Sequence, residues 1–149
     1  MSGGRGIFCF GNPLHGDDGF GPAVFRRLAG VALPADVRLV EAGTAGLNTL
    51  ALFQGCREAV LVDAMAPGGE PGRLRVLAAE EVPMEAAGGH GQGVGYLLRA
   101  LAALGEPLPG LTILTAEADA LTPFRPGLSP AVEAAVEAAA AWIARWLDE

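Results

Sequence analysis

Acidic side chains and a histidine stand in glycine-rich stretches near apolar runs. Asp17 and Asp18 lie in "GNPLHGDDGFG", after the run that ends at Phe10; Asp63 closes the run in "EAVLVDAM", and His90 lies in "GGHGQG". Carboxylate oxygens and imidazole nitrogens bind divalent transition metals, and carboxyl groups also transfer protons in hydrolysis. One interpretation is therefore a metal site formed by Asp18, Asp63 and His90, with open positions for water or substrate.

Two other interpretations of the first loop stay open. A glycine-rich loop between a strand and a helix can bind phosphate, but the spacing is neither GxGxxG nor GxxxxGK[ST], and two aspartates would repel the anion. An aspartate at a helix N-cap instead stabilises the helix by about 1 kcal/mol. This role suits Asp17, which we expect to cap the helix or shape the turn. Asn12 is expected to orient the loop through local backbone hydrogen bonds, and His15 is a weaker candidate that would flank the site.

The apolar patterns around these residues predict the elements that position them. Short apolar runs predict strands over 5–10, 36–43, 59–63, 73–77 and 111–118, of which the fourth follows a short turn and is expected to return antiparallel. Helical spacing predicts helices over 19–28, with Asp17 or Asp18 at the N-cap, over 47–53, from near His90 to Leu104, and over 130–147. Ser129 is the predicted N-cap of the last helix.

Strands that alternate with helices predict an α/β fold. We expect a single domain over residues 1–149, with a twisted, mostly parallel sheet of about five strands and helices on both faces. Sheets of this kind place their sites at the carboxyl ends of the strands. Asp18, Asp63 and His90 are therefore predicted to lie at one edge of the sheet.

Composition narrows the classes of partner. The chain has 149 residues and a net charge of −7, without a Lys/Arg cluster, which argues against nucleic acid and anionic membranes. We find no signal-peptide pattern and no apolar run of about 20 residues, so we expect a cytoplasmic protein. Cys9 and Cys56 are far apart in the sequence and form no CxxC motif, so each is expected to be a small buried side chain.

The ordered set "GNPLHGDDGFGPAV", "EAGTAGLNTL", "LVDAM" and "GGHGQGVGYLLRAL" resembles the hydrogenase maturation endopeptidases. The resemblance runs from Ile7 to about Leu104. It implies a protease that trims the C-terminus of the nickel-iron hydrogenase large-subunit precursor. It also implies that Asp18, Asp63 and His90 bind nickel already inserted in that precursor. We expect the free enzyme to hold little stable metal of its own, and Asp18 and Asp63 to take part in catalysis. We expect the protein to act as a monomer.

The resemblance has two departures from the family pattern. Some relatives carry glutamate at the position of Asp18, and many carry "HQxG" where this chain has "HGQG". Neither change removes a ligand atom. Two rival functions also stay open: a nickel-sensing or chaperone-like module that binds the precursor without cutting it, and an unrelated small-molecule enzyme on a doubly wound sheet.

Overall fold

The computed structural model describes residues 4–43, 51, 53, 55–82, 94–105 and 109–149. In these ranges the strands are β1 (Gly4–Phe10), β2 (Val37–Gly43), β3 (Cys56–Met65), β4 (Leu74–Ala78) and β5 (Gly110–Glu117). The helices are α1 (Phe20–Ala29), α2 (Val94–Leu104) and α3 (Pro130–Leu147). The helix predicted over 47–53 falls almost entirely outside the described residues.

The described strands form one sheet in the order β2-β1-β3-β5-β4. β2, β1, β3 and β5 are parallel, and only the edge strand β4 runs antiparallel. The short turn after β3 suggested a hairpin, but β4 pairs with β5, which lies between the two. The predicted mostly parallel sheet is confirmed, and the central place of β3 is set by pairing with a strand about fifty residues further along the chain.

Side-chain alternation along the strands divides the core into two layers. Ile7 and Cys9 face one layer, packed with α1 and α3, while Phe8 and Phe10 face the other, which includes the start of α2. Successive residues of a strand point to opposite faces, so a continuous apolar run supplies both layers. The predicted cover of helices on both faces is confirmed.

The helices bury the faces that their periodicity predicts. In α1 the buried stripe includes Phe20, Val24 and Leu28, while Arg26 and Arg27 are exposed. In α3 the predicted stripe is buried at every position: Val132, Val136, Ala139, Ile143 and Trp146. Of the helices in the described ranges, none is both long and apolar enough to cross a membrane.

Candidate active site

Asp63 lies near the carboxyl end of β3, on the face covered by α2. The alternating neighbours Val62 and Ala64 pack into the α1/α3 layer, which leaves Asp63 on the same side as Leu61. The backbone N–H of Ala64 donates to its Oδ1 at 2.9 Å, and Val94, the first residue of α2, also donates a backbone hydrogen bond to this carboxyl group. β3 continues to Met65, so Asp63 lies two residues before the strand's end and not at its tip as predicted.

The surroundings of Asp63 disfavour its charged form. The residue is 5% exposed, and this burial raises the pKa of its carboxyl group well above the ordinary value. The negative charge of Asp18 raises the pKa further, and the two backbone N–H groups offset only part of the rise. A buried carboxyl group beside a second carboxylate is stabilised by a shared proton or by a cation between them.

Asp18 approaches this position from the loop after β1. It belongs to the 3-10 turn Gly16–Gly19 and is half-buried. The backbone N–H of Asn12 donates to Asp18 Oδ2 at 3.0 Å, and Asn12 Oδ1 accepts from the N–H of Leu14 at 2.9 Å. The predicted role of Asn12 in orienting the loop is thereby confirmed, and one of its bonds ends on the Asp18 side chain itself.

Two glycines let this loop fold closely over the end of β1. Gly11 has φ +136°, and a Cβ there would collide with the backbone oxygen of Asp18. A Cβ at Gly21, in the first turn of α1, would collide with the backbone oxygen of Phe10. Only glycine permits both close approaches. They bring the 3-10 turn Gly16–Gly19, called the acidic turn below, against the end of the sheet.

Asp17, the neighbour of Asp18, does not cap α1. The N-cap of α1 is Gly19, without a side-chain cap, so the prediction that Asp17 or Asp18 occupies this position is wrong. Both aspartates lie in the 3-10 turn before Gly19, and the Asp17 side chain points toward the segment between β5 and α3. Its Oδ2 accepts from the N–H of Asp119 at 2.8 Å, and its Oδ1 accepts from the N–H of Ser129 at 2.7 Å.

Ser129 occupies the predicted N-cap position of α3, but its side chain serves Asp17. Its hydroxyl donates to Asp17 Oδ2 at 2.8 Å and makes no side-chain cap bond to the helix. Nothing local in the sequence signals this contact, because the two residues are 112 positions apart.

The structure describes one of the two histidines, His15. The ring of His15 packs edge-on against Phe124, with centroids 5.3 Å apart. His90 lies outside the described residues, so its predicted role as a metal ligand stays a prediction. Within the described ranges no group of three metal-binding side chains comes together, and this search does not include His90.

The expectation of a small buried side chain is confirmed for Cys9 and is only partly met by Cys56. Cys9 is fully buried, and burial, followed by the nearby charge of Glu41, raises its pKa to about 12. A thiol with this pKa stays protonated near neutral pH and is a poor nucleophile. Cys56 is half-buried and accepts a hydrogen bond from Arg38 at 3.1 Å. Among the described residues both cysteines are free thiols.

The fold and site define a class: an α/β protein with a carboxyl pair, Asp18 and Asp63, at the carboxyl edge of its sheet. Such a pair can exchange a proton with water and can supply oxygen ligands to a divalent cation. Residues 22–146 match the family model described as hydrogenase maturation protease (HycI). The chain belongs to the hydrogenase maturation protease family, which confirms the resemblance found in its motifs.

Relatives and solved structures agree with this assignment. The hydrogenase expression/formation protein HupD of Rhodobacter capsulatus is 37% identical over 78 residues, which cover 52% of this chain and 37% of that protein. The hydrogenase maturating endopeptidase HybD of E. coli has a TM-score of 0.84 at 29% identity, covering 97% of this chain and 92% of that one. The hydrogenase 2 maturation peptidase of a Thaumarchaeota archaeon has a TM-score of 0.72 at 32% identity and covers 97% of both chains.

The curated relatives and the solved structures differ in the share of their own length that this chain matches. The matched part of this chain spans less than half the length of the curated relatives. The structures with these TM-scores instead match almost from end to end. The shared fold therefore includes all five strands described above.

Proposed function

We propose that this protein is an endopeptidase that removes the C-terminal extension of a nickel-iron hydrogenase large-subunit precursor after nickel insertion. The observation that carries the proposal is the carboxyl pair Asp18 and Asp63. Asp63 is buried, its pKa is raised, and the charge of Asp18 contributes to that rise. Membership of the hydrogenase maturation protease family supplies the class of reaction and the class of substrate.

The proposed nickel ligands are Asp18, Asp63 and His90. Two carboxylates and one imidazole suit a divalent transition metal, and three ligands leave positions for groups that the precursor brings. Besides burial, the negative charge of Asp18 raises the pKa of Asp63, and a cation bound between the two carboxylates would relieve this repulsion. His90 precedes Val94, a hydrogen-bond donor to Asp63, by four residues in the sequence. The nickel belongs to the substrate, so cleavage depends on correct loading.

The carboxyl groups then supply the proton transfers of hydrolysis. Asp18 is the more exposed of the pair, so its ionised form is better solvated and it is the proposed base. A water molecule adds its oxygen to the scissile carbonyl carbon and gives one proton to a carboxylate. The C–N bond breaks as the departing nitrogen takes up a proton. Neither step needs a covalent intermediate with the enzyme.

The proposal is tested by incubating the purified protein with nickel-loaded and nickel-free precursor and recording the released C-terminal peptide by mass spectrometry. We expect release from the loaded precursor only. Asp18→Asn and Asp63→Asn should each reduce the rate at least about 100-fold, the usual scale for loss of an acid–base group. His90→Ala should reduce the rate by a similar factor, because one of the three proposed nickel ligands is lost. Asp148→Asn is the matched control, because Asp148 is an exposed carboxylate at the far end of α3. It should retain the wild-type rate.

The same experiment separates the main alternative. A non-hydrolytic nickel-sensing or chaperone-like module would form a stable complex with the loaded precursor and release no peptide. That result would overturn the protease proposal. Cleavage of nickel-free precursor at the same rate would instead overturn nickel recognition while leaving the protease intact.

A further inference from the structure

We propose that Asp17 is a positioning residue that fixes the acidic turn, and with it Asp18, against the segment between β5 and α3. The inference rests on the proposed function, because it concerns the geometry of the same carboxyl pair. Asp17 is 1% exposed, and a buried carboxylate is stable only when hydrogen-bond donors surround it.

Four donors converge on the Asp17 carboxylate. Three of them are backbone N–H groups, those of Asp119, Ala120 and Ser129, at 2.8, 3.3 and 2.7 Å. The fourth is the Ser129 hydroxyl at 2.8 Å. Hydrogen bonds to an ionised acceptor are stronger than neutral ones. The side chain therefore joins the first loop to the N-terminus of α3 and to the residues that follow β5.

Backbone hydrogen bonds also join the acidic turn to the segment between β5 and α3. The N–H of Asp17 donates to the oxygen of Ala120 at 3.1 Å, and the N–H of Gly16 donates to the oxygen of Arg125 at 2.9 Å. A Cβ at Gly16 would lie within 3.1 Å of the Ala120 oxygen, so the two segments pack with little space between them. The acidic turn is thus fixed by hydrogen bonds of both its side-chain and its backbone groups.

The geometry of the turn transmits this restraint to Asp18. A 3-10 turn has about three residues per turn, so consecutive side chains point about 120° apart. When Asp17 is fixed toward Ser129, Asp18 is directed away from that junction. It then accepts from the N–H of Asn12 at 3.0 Å, and its charge acts on Asp63. Release of Asp17 should let the turn rotate and separate the pair.

The test compares Asp17→Asn with Ser129→Ala and Ser129→Thr. Asparagine places an NH2 group where backbone donors converge, so several bonds are lost. Ser129→Ala removes one bond of the four, and Ser129→Thr keeps the hydroxyl. On nickel-loaded precursor we expect kcat to fall at least 30-fold, about 5-fold and less than 2-fold respectively, with KM changed less than 3-fold.

Ile143→Ala is the control for lost stability. Ile143 is fully buried in α3, near the end opposite Ser129. At a temperature where every variant is folded by circular dichroism, this substitution should leave kcat within 2-fold of wild type. If Asp17→Asn and Ser129→Ala also stay within 2-fold while folded, the positioning role is refuted.

A second readout does not depend on cleavage. Amide hydrogen exchange at Asn12 reports on its bond to Asp18 Oδ2. We expect exchange at Asn12 to accelerate at least 10-fold in Asp17→Asn and less than 2-fold in Ile143→Ala. If the wild-type protein fails to cut the precursor but Asn12 responds as expected, the proposed function fails and the positioning of Asp18 stands. Unchanged exchange in Asp17→Asn would overturn the positioning role even in an active enzyme.

Discussion

Asp17 and Asp63 are both buried at the carboxyl edge of the sheet, yet their surroundings differ. Asp17 accepts four hydrogen bonds from backbone and hydroxyl donors. Burial and the negative charge of Asp18 raise the pKa of Asp63, and the backbone bonds that it accepts from Ala64 and Val94 offset only part of the rise. The first environment supplies hydrogen-bond donors to both carboxylate oxygens. The second keeps a carboxyl group ready to exchange a proton or bind a cation, which is the feature expected of a site.

The largest expected effect is a difference in how the free energy of unfolding responds to the same substitution at the two residues. Asp17→Asn should lower the free energy of unfolding at pH 7 by about 3 kcal/mol, because charge-assisted bonds are lost and buried N–H donors are left unpaired. Asp63→Asn should change it by less than about 0.5 kcal/mol or raise it, because a neutral group replaces one whose charge is disfavoured. Urea unfolding measures both. Equal losses would remove the distinction between the two sites.

A smaller expected effect is the pH dependence of stability that Asp63 contributes. The folded pKa of Asp63 is raised, so between about pH 4, the ordinary range for Asp, and the raised pKa the folded protein binds more protons than the unfolded chain. The stabilising contribution is complete below about pH 4 and is lost as pH rises through the raised pKa.

Urea unfolding from pH 4 to pH 8, with a chelator present, measures this contribution. The stability of wild type relative to Asp63→Asn should fall as pH rises. In Asp18→Asn the fall should end at a lower pH, because one of the two causes of the shift is removed. A difference between wild type and Asp63→Asn that does not vary with pH would contradict the assigned surroundings of Asp63.

The sequence was informative where the signal is local. An acidic residue directly after the apolar run of β3 stands out from its immediate neighbours, so Asp63 was predicted as a candidate site residue. The strand itself continues to Met65. The same holds for the stripes of α1 and α3, whose spacing alone indicates which faces are buried.

Long-range contacts were not predictable in this way. The place of β5 between β3 and β4 depends on pairing between distant segments. The donors around Asp17 lie 102 to 112 residues away along the chain. Asp17 and Asp18 are identical and adjacent in the sequence, and only the 3-10 turn and its distant partners give them different environments. The expected helix cap by Asp17 was therefore wrong, since its side chain bonds to Asp119, Ala120 and Ser129, and the role of Asp18 stays a prediction.

The smallest expected effect concerns the segment that Asp17 holds. Phe124 is 82% exposed and has φ +58°, the single positive value at a non-glycine residue in the described ranges. Left-handed backbone costs such a residue about 1–2 kcal/mol, and the loss is tolerated where surrounding bonds fix the chain. Glycine removes this strain but gains entropy in the unfolded chain, worth about 0.5–1 kcal/mol. Phe124→Gly also deletes the edge-on contact with His15, worth roughly 0.5 kcal/mol, so its net effect in urea unfolding should be within about 0.5 kcal/mol of wild type.

The same substitution in the Asp17→Asn background shows what maintains the strain. If the bonds of Asp17 to Asp119, Ala120 and Ser129 hold the segment in place, their loss lets Phe124 relax to an ordinary conformation. Phe124→Gly should then be less favourable than in the wild-type background by about 0.5 kcal/mol, because no strain is left to relieve. The two substitutions would be coupled by about 0.5 kcal/mol, although no direct bond joins them. Equal effects in both backgrounds would show that the turn at Phe124 is fixed by its own neighbours, and that Asp17 restrains only the loop that carries Asp18.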